Sequence, residues 1–150
     1  MTFAFVRLRI SFFAAYGLVG LSNAYGACNA RGHPLTPAMI NDFLEKPEII
    51  LSDDTGGKRE VHELSVSISR YAVAGPAVIQ AIKSILSNAT IEQRVAIGEG
   101  LYSAFAYCRA IDPVIAARID SAVKSINDKD VTLAYRLAVS LPIGPLNLKY

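Results

Sequence analysis

The sequence has little of the residue types that most often carry catalysis or bind metals. Its 150 residues include only two histidines, His33 and His62. Neither has a histidine or cysteine partner three or four residues away, as short-range metal-ligand pairs require. The Gly-x-Ser-x-Gly motif of a nucleophilic serine is missing, as is a phosphate-binding glycine loop. We therefore expect a protein that is not an enzyme, with no cofactor and no bound metal.

The sequence also lacks an apolar run long enough to cross a bilayer, which takes about 20 residues. The run at residues 10–21, ISFFAAYGLVGL, has twelve residues and follows a start that contains two arginines and no acid. Small Ser22 and Ala24 come next. This order predicts a secretory signal peptide, residues 1–24, cleaved after Ala24. An uncleaved anchor and an ordinary amphipathic helix are the alternatives.

Neither sign of charge is in excess once this leader is removed. All thirteen acidic residues follow residue 24, whereas Arg7 and Arg9 precede it, which leaves thirteen of the fifteen basic residues in the exported chain. A neutral domain offers no electrostatic reason to bind nucleic acid or an anionic membrane. We expect a secreted or periplasmic protein that binds no nucleic acid and has no stable transmembrane span after cleavage.

Cysteine is scarce but even in number. Cys28 and Cys108 are the two cysteines, and an even pair in an exported protein favours a disulfide. That bond would tie the segment before the first helix to the middle of a long helix. Two free thiols, with Cys108 as a small buried residue, are one alternative. Another is cleavage after Ala27, which would leave Cys28 first and open to lipidation.

Hairpin signals and internal repeats are missing as well, and helix signals dominate. Residues 25–35 have no periodicity and form an N-terminal arm, 36–141 form a helical domain, and 142–150 form a tail. The tail is apolar and rich in proline, so we expect it to lie along a groove on the domain, with disorder as the alternative. The fold class is all-α, a compact bundle of about five to six short helices around a central glycine-containing one. The predicted helices cover about 37–46, 59–74, 76–87, 91–111, 113–126 and 130–140, with a short turn or helix at 47–51.

The central helix contains the stretch VAIGEGLYSAFAYC, in which two glycines each cost about 0.5–1 kcal/mol relative to alanine. On a helical wheel, Ala96, Gly100 and Ala104 form a ridge of small side chains that continues to Cys108. Such a ridge lets another helix approach closely, with a crossing angle near −50°. Gly98 lies on a different face and admits a second neighbour or a bulky side chain. We therefore predict helix packing at these positions, with a ligand-binding opening as the alternative.

Acidic pairs give no stronger signal for a site. Asp53 and Asp54 precede two glycines, but the alternating spacing and the final Glu of a calcium loop are missing, so we interpret them as turn formers. We interpret Glu60 and Glu63 as part of a solvated surface, where their negative charge stabilises the N-terminus of a helix.

Four stretches of the sequence resemble small exported helical proteins of alphaproteobacteria, of the rhizobial type. They are FLEKPEIIL, the Gly-Gly loop, ILSNATIEQRVAIGEGLYSAFAYC and DPVIAARIDSAV. The resemblance covers about residues 40–126. It implies export and a helical fold. It implies no activity, and no functional residue is carried over from it.

These observations together favour a non-enzymatic structural or interaction module of the cell envelope, whose partner is an unknown envelope protein. The alternative is a periplasmic carrier of an apolar small molecule or lipid. An exposed apolar patch would favour the module, and a cavity of a few hundred Å³ with convergent polar groups would favour the carrier.

Overall fold

The computed structural model describes Cys28 and residues 35–140, and in this part of the chain the predicted all-α class is confirmed. The predicted signal peptide 1–24, most of the arm and the tail 142–150 lie outside the described residues. Short 3₁₀ turns at Pro47–Leu51 and Ile85–Ser87 connect some of the helices. The α-helices, numbered α1 to α6 in chain order, are Pro37–Glu45, Val61–Ala72, Pro76–Ser84, Ile91–Ile111, Pro113–Lys124 and Lys129–Ser140.

Capping side chains explain why three of these helices begin where the sequence predicts. The Thr36 hydroxyl accepts a hydrogen bond from the Met39 amide at 3.2 Å, at the start of α1. The predicted capping box of α4 is present, since Thr90 and Gln93 each accept a bond from the other's backbone amide. The Asp112 carboxylate accepts from the first amides of α5. These bonds satisfy N–H groups that have no partner inside the helix, which is why the predicted starts agree with the structure.

Several predicted boundaries differ from the structure by one to three residues, and two of the differences have clear local reasons. Helix α2 begins at Val61 rather than near residue 59, because the Glu60 carboxylate caps it and accepts from the amides of His62 and Glu63 at 2.9 and 3.2 Å. Glu60 thus lies before the helix, although its charge favours that N-terminus as expected. Helix α3 ends at Ser84 and tightens into a 3₁₀ turn, a change that apolar spacing alone does not reveal.

Helix α4 is the central element, because α2, α5 and α6 all pack against it. The core is one hydrophobic cluster that draws fully buried side chains from all four helices. Each such side chain stabilises the fold by about 1.5–3 kcal/mol relative to an exposed position. Representative members are Ile68 of α2, Ile97 and Leu101 of α4, Ile119 of α5 and Val131 of α6.

Polar side chains near the start of α4 join it to loops from other parts of the chain. The buried Gln93 amide donates to the Leu51 carbonyl at 2.8 Å. The Arg94 guanidinium donates to the Leu86 carbonyl at 3.1 Å and lies 3.6 Å from the Asp128 carboxylate. Asp128 in turn caps α6 through its other oxygen. The first turn of α6 is therefore held beside the first turn of α4.

Candidate functional site

Helix α2 crosses α4 at Gly100. A Cβ atom added to Gly100 would lie 2.5 Å from the Ser65 carbonyl oxygen and 2.8 Å from the Ile68 Cβ. Real side chains do not tolerate such distances, so only glycine allows this approach. Ala96 and Ala104, one turn away on either side, are buried. Gly100, in the middle of the predicted row of small residues, thus lies where α2 covers α4.

Helix α6 approaches α4 from another side, at Gly98. An added Cβ there would lie 2.5 Å from the Val131 carbonyl oxygen and 2.8 Å from the Ala134 Cβ. The backbone amide of Tyr135 would be 3.2 Å away. Gly98 therefore admits the α6 backbone itself, and its position on α4 fixes where α6 lies.

The disulfide joins the arm to the second half of α4. Cys28 and Cys108 are bonded, with their Cα atoms 5.2 Å apart, and both are buried. Neither thiol is free, so the interpretation as two free thiols is not supported. Because its sulfur is bonded to Cys108, Cys28 is not available for lipid attachment in this form. Leu35, at the end of the arm, is also buried in the core.

An aromatic cluster links α4, α5 and α6. The Tyr135 ring contacts the rings of Tyr102 and Phe105 edge-on, with centroids 6.2 and 6.0 Å away. Its hydroxyl donates to Asp120 at 3.2 Å, and Lys124 pairs with the same carboxylate at 2.6 Å. Burial, together with the Asp120 charge, raises the pKa of Tyr135 above its ordinary value of 10.0. The phenol stays protonated at neutral pH and acts as a hydrogen-bond donor between helices.

Two open grooves flank the second half of α6. The smaller, of about 210 Å³, lies between α5 and α6 beside Asp120 and Lys124. The larger, of about 310 Å³, lies between α4 and α6, and we call it the α4–α6 groove. Its volume is near the lower limit of ligand sites, about 300 Å³, but such sites enclose most of their ligand. Its lining residues are Tyr102, Phe105, Ala106, Arg109, Ala110 and Val139.

The outer face of α6 carries an exposed apolar pair that the sequence analysis did not single out. Leu133 and Leu137 are 59% and 53% exposed and lie one turn apart. We call this pair the outer ridge. The buried row of the same helix is Val131, Ala134 and Tyr135. The i, i+4 spacing of the two leucines was visible in the sequence, but the apolar residues on other sides of α6 concealed which side faces the core.

The acidic and histidine candidates lie apart from these features. His62 is exposed at the start of α2, and His33 lies outside the described residues. The Asp53 carboxylate accepts hydrogen bonds from the Thr55 hydroxyl and from the amides of Gly57 and Thr55, at 2.7, 2.8 and 2.9 Å. These bonds lower the pKa of Asp53, consistent with a turn former. Between residues 35 and 140 and at Cys28, no three His, Cys, Asp or Glu side chains are grouped to hold a metal ion.

Comparisons with protein-family models, with curated proteins and with solved structures found no match to this chain.

Proposed function

We propose that this chain is an exported, non-enzymatic interaction module of the cell envelope that binds a partner protein through the outer ridge of α6. Export is supported by the leader pattern at residues 1–24 and by the resemblance to exported helical proteins. The Cys28–Cys108 bond is compatible with an oxidising compartment, where disulfides persist. None of the described helices is both long enough and apolar enough to cross a membrane.

The exposure of Leu133 and Leu137 is the observation that carries the proposal. Each leaves more than half of its surface in water, on a helix whose opposite side is held against α4 at Gly98. A helix fixed in this way presents the two side chains at a constant spacing, so little conformational entropy is lost on binding. Apolar anchors at i and i+4 are what a helix uses when it lies in a hydrophobic groove of a partner.

Charge around the ridge indicates the chemistry of that partner. Lys129 and Arg136 are exposed on the same helix as the two leucines. At about 100° per residue, both lie on the side of α6 that faces away from Val131. We therefore expect a partner whose apolar groove has an acidic rim, because opposite charges at a rim speed association and fix orientation.

The carrier hypothesis has weaker support. The α4–α6 groove has the volume of a small ligand site, about 310 Å³, yet the described residues do not enclose it, and among them Arg109 is the one charged group that lines it. A carrier needs enclosure of its ligand and several convergent polar groups. Native mass spectrometry of protein purified from its own envelope separates the two functions, since a carrier retains a small apolar ligand and an interaction module does not.

Site-specific photo-crosslinking in the producing cell tests the proposal directly. A photoreactive residue at position 133 or 137 is compared with one at position 114, because Val114 of α5 is equally exposed, at 60%. We expect a discrete protein adduct from α6 and none from position 114. Leu133→Glu should weaken binding of the purified adduct partner about tenfold or more, as the loss of an anchor side chain does, whereas Val114→Glu should not. Equal adducts from all three positions, or no effect of Leu133→Glu, would refute the proposal.

A further inference from the structure

Three residues of α4, one helical turn apart, meet successive parts of α6. Arg94, Gly98 and Tyr102 are spaced four residues apart, so they lie within about 80° of one another around the helix. Arg94 lies near the carboxylates of Asp128 and Asp130, where α6 begins. Gly98 meets the α6 backbone one turn on, and Tyr102 contacts an aromatic ring in the middle of α6. The two helices are thus joined at three levels, and the first of these is polar.

The first turn of α6 has little apolar packing to hold it in place. Of residues 129–132, Val131 alone is buried. Apolar contacts have no preferred direction, and helix ends fray readily. Hydrogen bonds and ion pairs with a fixed partner restrict direction more strongly, because they weaken when the groups rotate apart. The orientation of this turn therefore depends on the polar contacts that it makes with α4.

The Arg94 guanidinium is itself held in place beside that turn. Its Nε donates to the Leu86 carbonyl at 3.1 Å. Its Nη1 lies 3.6 Å from the Asp128 carboxylate and 3.9 Å from that of Asp130. The other Asp128 oxygen accepts from the amides of Asp130 and Val131 and caps α6. One cation thus serves two neighbouring carboxylates, which would repel each other without it.

We propose that Arg94 is a positioning residue for the outer ridge. Through Asp128 and Asp130 it holds the first turn of α6, and with it Leu133, in the orientation that the partner binds. Leu133 follows this turn directly, whereas Leu137 lies one turn further along the helix. Removing the guanidinium should therefore disturb Leu133 and leave Leu137 in place. This inference rests on the proposed function of the ridge and adds a residue of another helix on which its affinity depends.

Amide hydrogen exchange of the full, oxidised chain tests whether Arg94 holds the turn, and it requires no partner. Arg94→Gln removes the charge, and Arg118→Gln is the matched control, at an exposed arginine of α5. We expect Arg94→Gln to speed the exchange of residues 131–134 several-fold and to change residues 136–139 little. Asp130→Asn, which leaves the helix cap in place, should act in the same direction if Arg94→Gln proves poorly folded by circular dichroism.

A double-mutant cycle tests whether this turn matters for binding. The probe is the protein recovered by photo-crosslinking at position 133. We expect Arg94→Gln to weaken its binding about two- to fivefold, as the loss of a partly exposed ion pair does. Arg94→Lys should restore most of the affinity, because both carboxylates lie near one nitrogen. The effect of Arg94→Gln should disappear in a Leu133→Ala background and persist in a Leu137→Ala background.

Three results would overturn the proposal. The first is exchange at residues 131–134 that is no faster in Arg94→Gln than in Arg118→Gln. The second is an equal loss of affinity in both leucine backgrounds, which would indicate a general loss of stability. The third is a failure of Arg94→Lys to restore binding, which would assign the effect to the Leu86 bond. If Leu133→Glu leaves binding unchanged, the proposed function fails instead, and the exchange rates still decide whether Arg94 holds the turn.

Discussion

Replacing Gly100 by alanine adds one methyl group, which has two opposing effects on the stability of the protein. Alanine is the better helix former by about 1 kcal/mol, so in a helix face open to water the change would stabilise the protein. In this structure the new Cβ would lie 2.5 Å from the Ser65 carbonyl oxygen. Contacts of this kind are ordinary from 3.4 Å, so α2 would have to shift by about 0.9 Å.

The backbone oxygen of Ser65 cannot rotate away as a side chain could, so the cost lies in the upper part of the range for overpacking, about 1–3 kcal/mol. After the gain in helix propensity, we expect a net loss of about 1–2 kcal/mol in the free energy of unfolding. In a domain of this size each kcal/mol lowers the melting temperature by about 3–6 °C.

Urea and thermal unfolding followed by circular dichroism measure this loss. Glu99→Ala is the matched control: it adds no atoms, lies between the two glycines and is exposed, so its effect should stay within about 0.5 kcal/mol. Gly98→Ala should also destabilise, and because α6 and α2 meet different sides of α4, the two losses should nearly add. A Gly100→Ala protein as stable as the parent would refute the close crossing.

Three further predictions concern the disulfide and two titrating side chains. Replacing Cys28 and Cys108 by alanine should lower the free energy of unfolding by up to about 4.5 kcal/mol, because the bond closes a loop of 80 residues. Urea unfolding measures this loss, and reduction of the disulfide in the parent should give a similar one. Tyr135→Phe should flatten the alkaline side of the stability profile. Because the pKa of Tyr135 is raised, this side chain makes a contribution to stability that is fully present below pH 10.0 and is lost as pH rises further. Urea unfolding across that range would show no difference in slope between parent and variant if this is wrong. Asp53→Asn should destabilise the protein at neutral pH and have no effect on its stability in acid. The lowered pKa of Asp53 gives a contribution to stability that is present above pH 3.8 and lost as pH falls through the folded-state pKa. Melting temperatures at both pH values check this, with Asp54→Asn as the control.

The positions of many helix starts depend on local interactions and could be predicted from the sequence. Thr36, Thr90 and Asp112 have side chains that bond amides two or three residues on, so short-range chemistry is enough to place these helix starts. The cysteine pair was predictable for a different reason, because two cysteines permit one intramolecular pairing. The two glycines of α4 marked it as a helix that needed close neighbours.

Which helices pack against these glycines depends on long-range contacts, so it could not be predicted from the sequence. No local pattern indicates that Gly100 meets α2 and Gly98 meets α6, or that the Gln93 amide donates to the Leu51 carbonyl 42 residues away. In α6, apolar residues occur on several sides of the helix, so spacing alone does not distinguish the buried Val131 from the exposed Leu133. The outer ridge became visible only once the packing partner of α6 was known.

The closest approach of α6 to α4 is at Gly98, and both the α4–α6 groove and the outer ridge depend on this placement of α6. Nuclear Overhauser spectroscopy of the folded protein tests that contact most directly. We predict strong cross-peaks between the Gly98 α protons and the Ala134 methyl group, because an atom at the Gly98 Cβ position would lie 2.8 Å from the Ala134 Cβ. Assigned spectra in which the Gly98 α protons show cross-peaks only to residues of α4 would contradict this placement of α6.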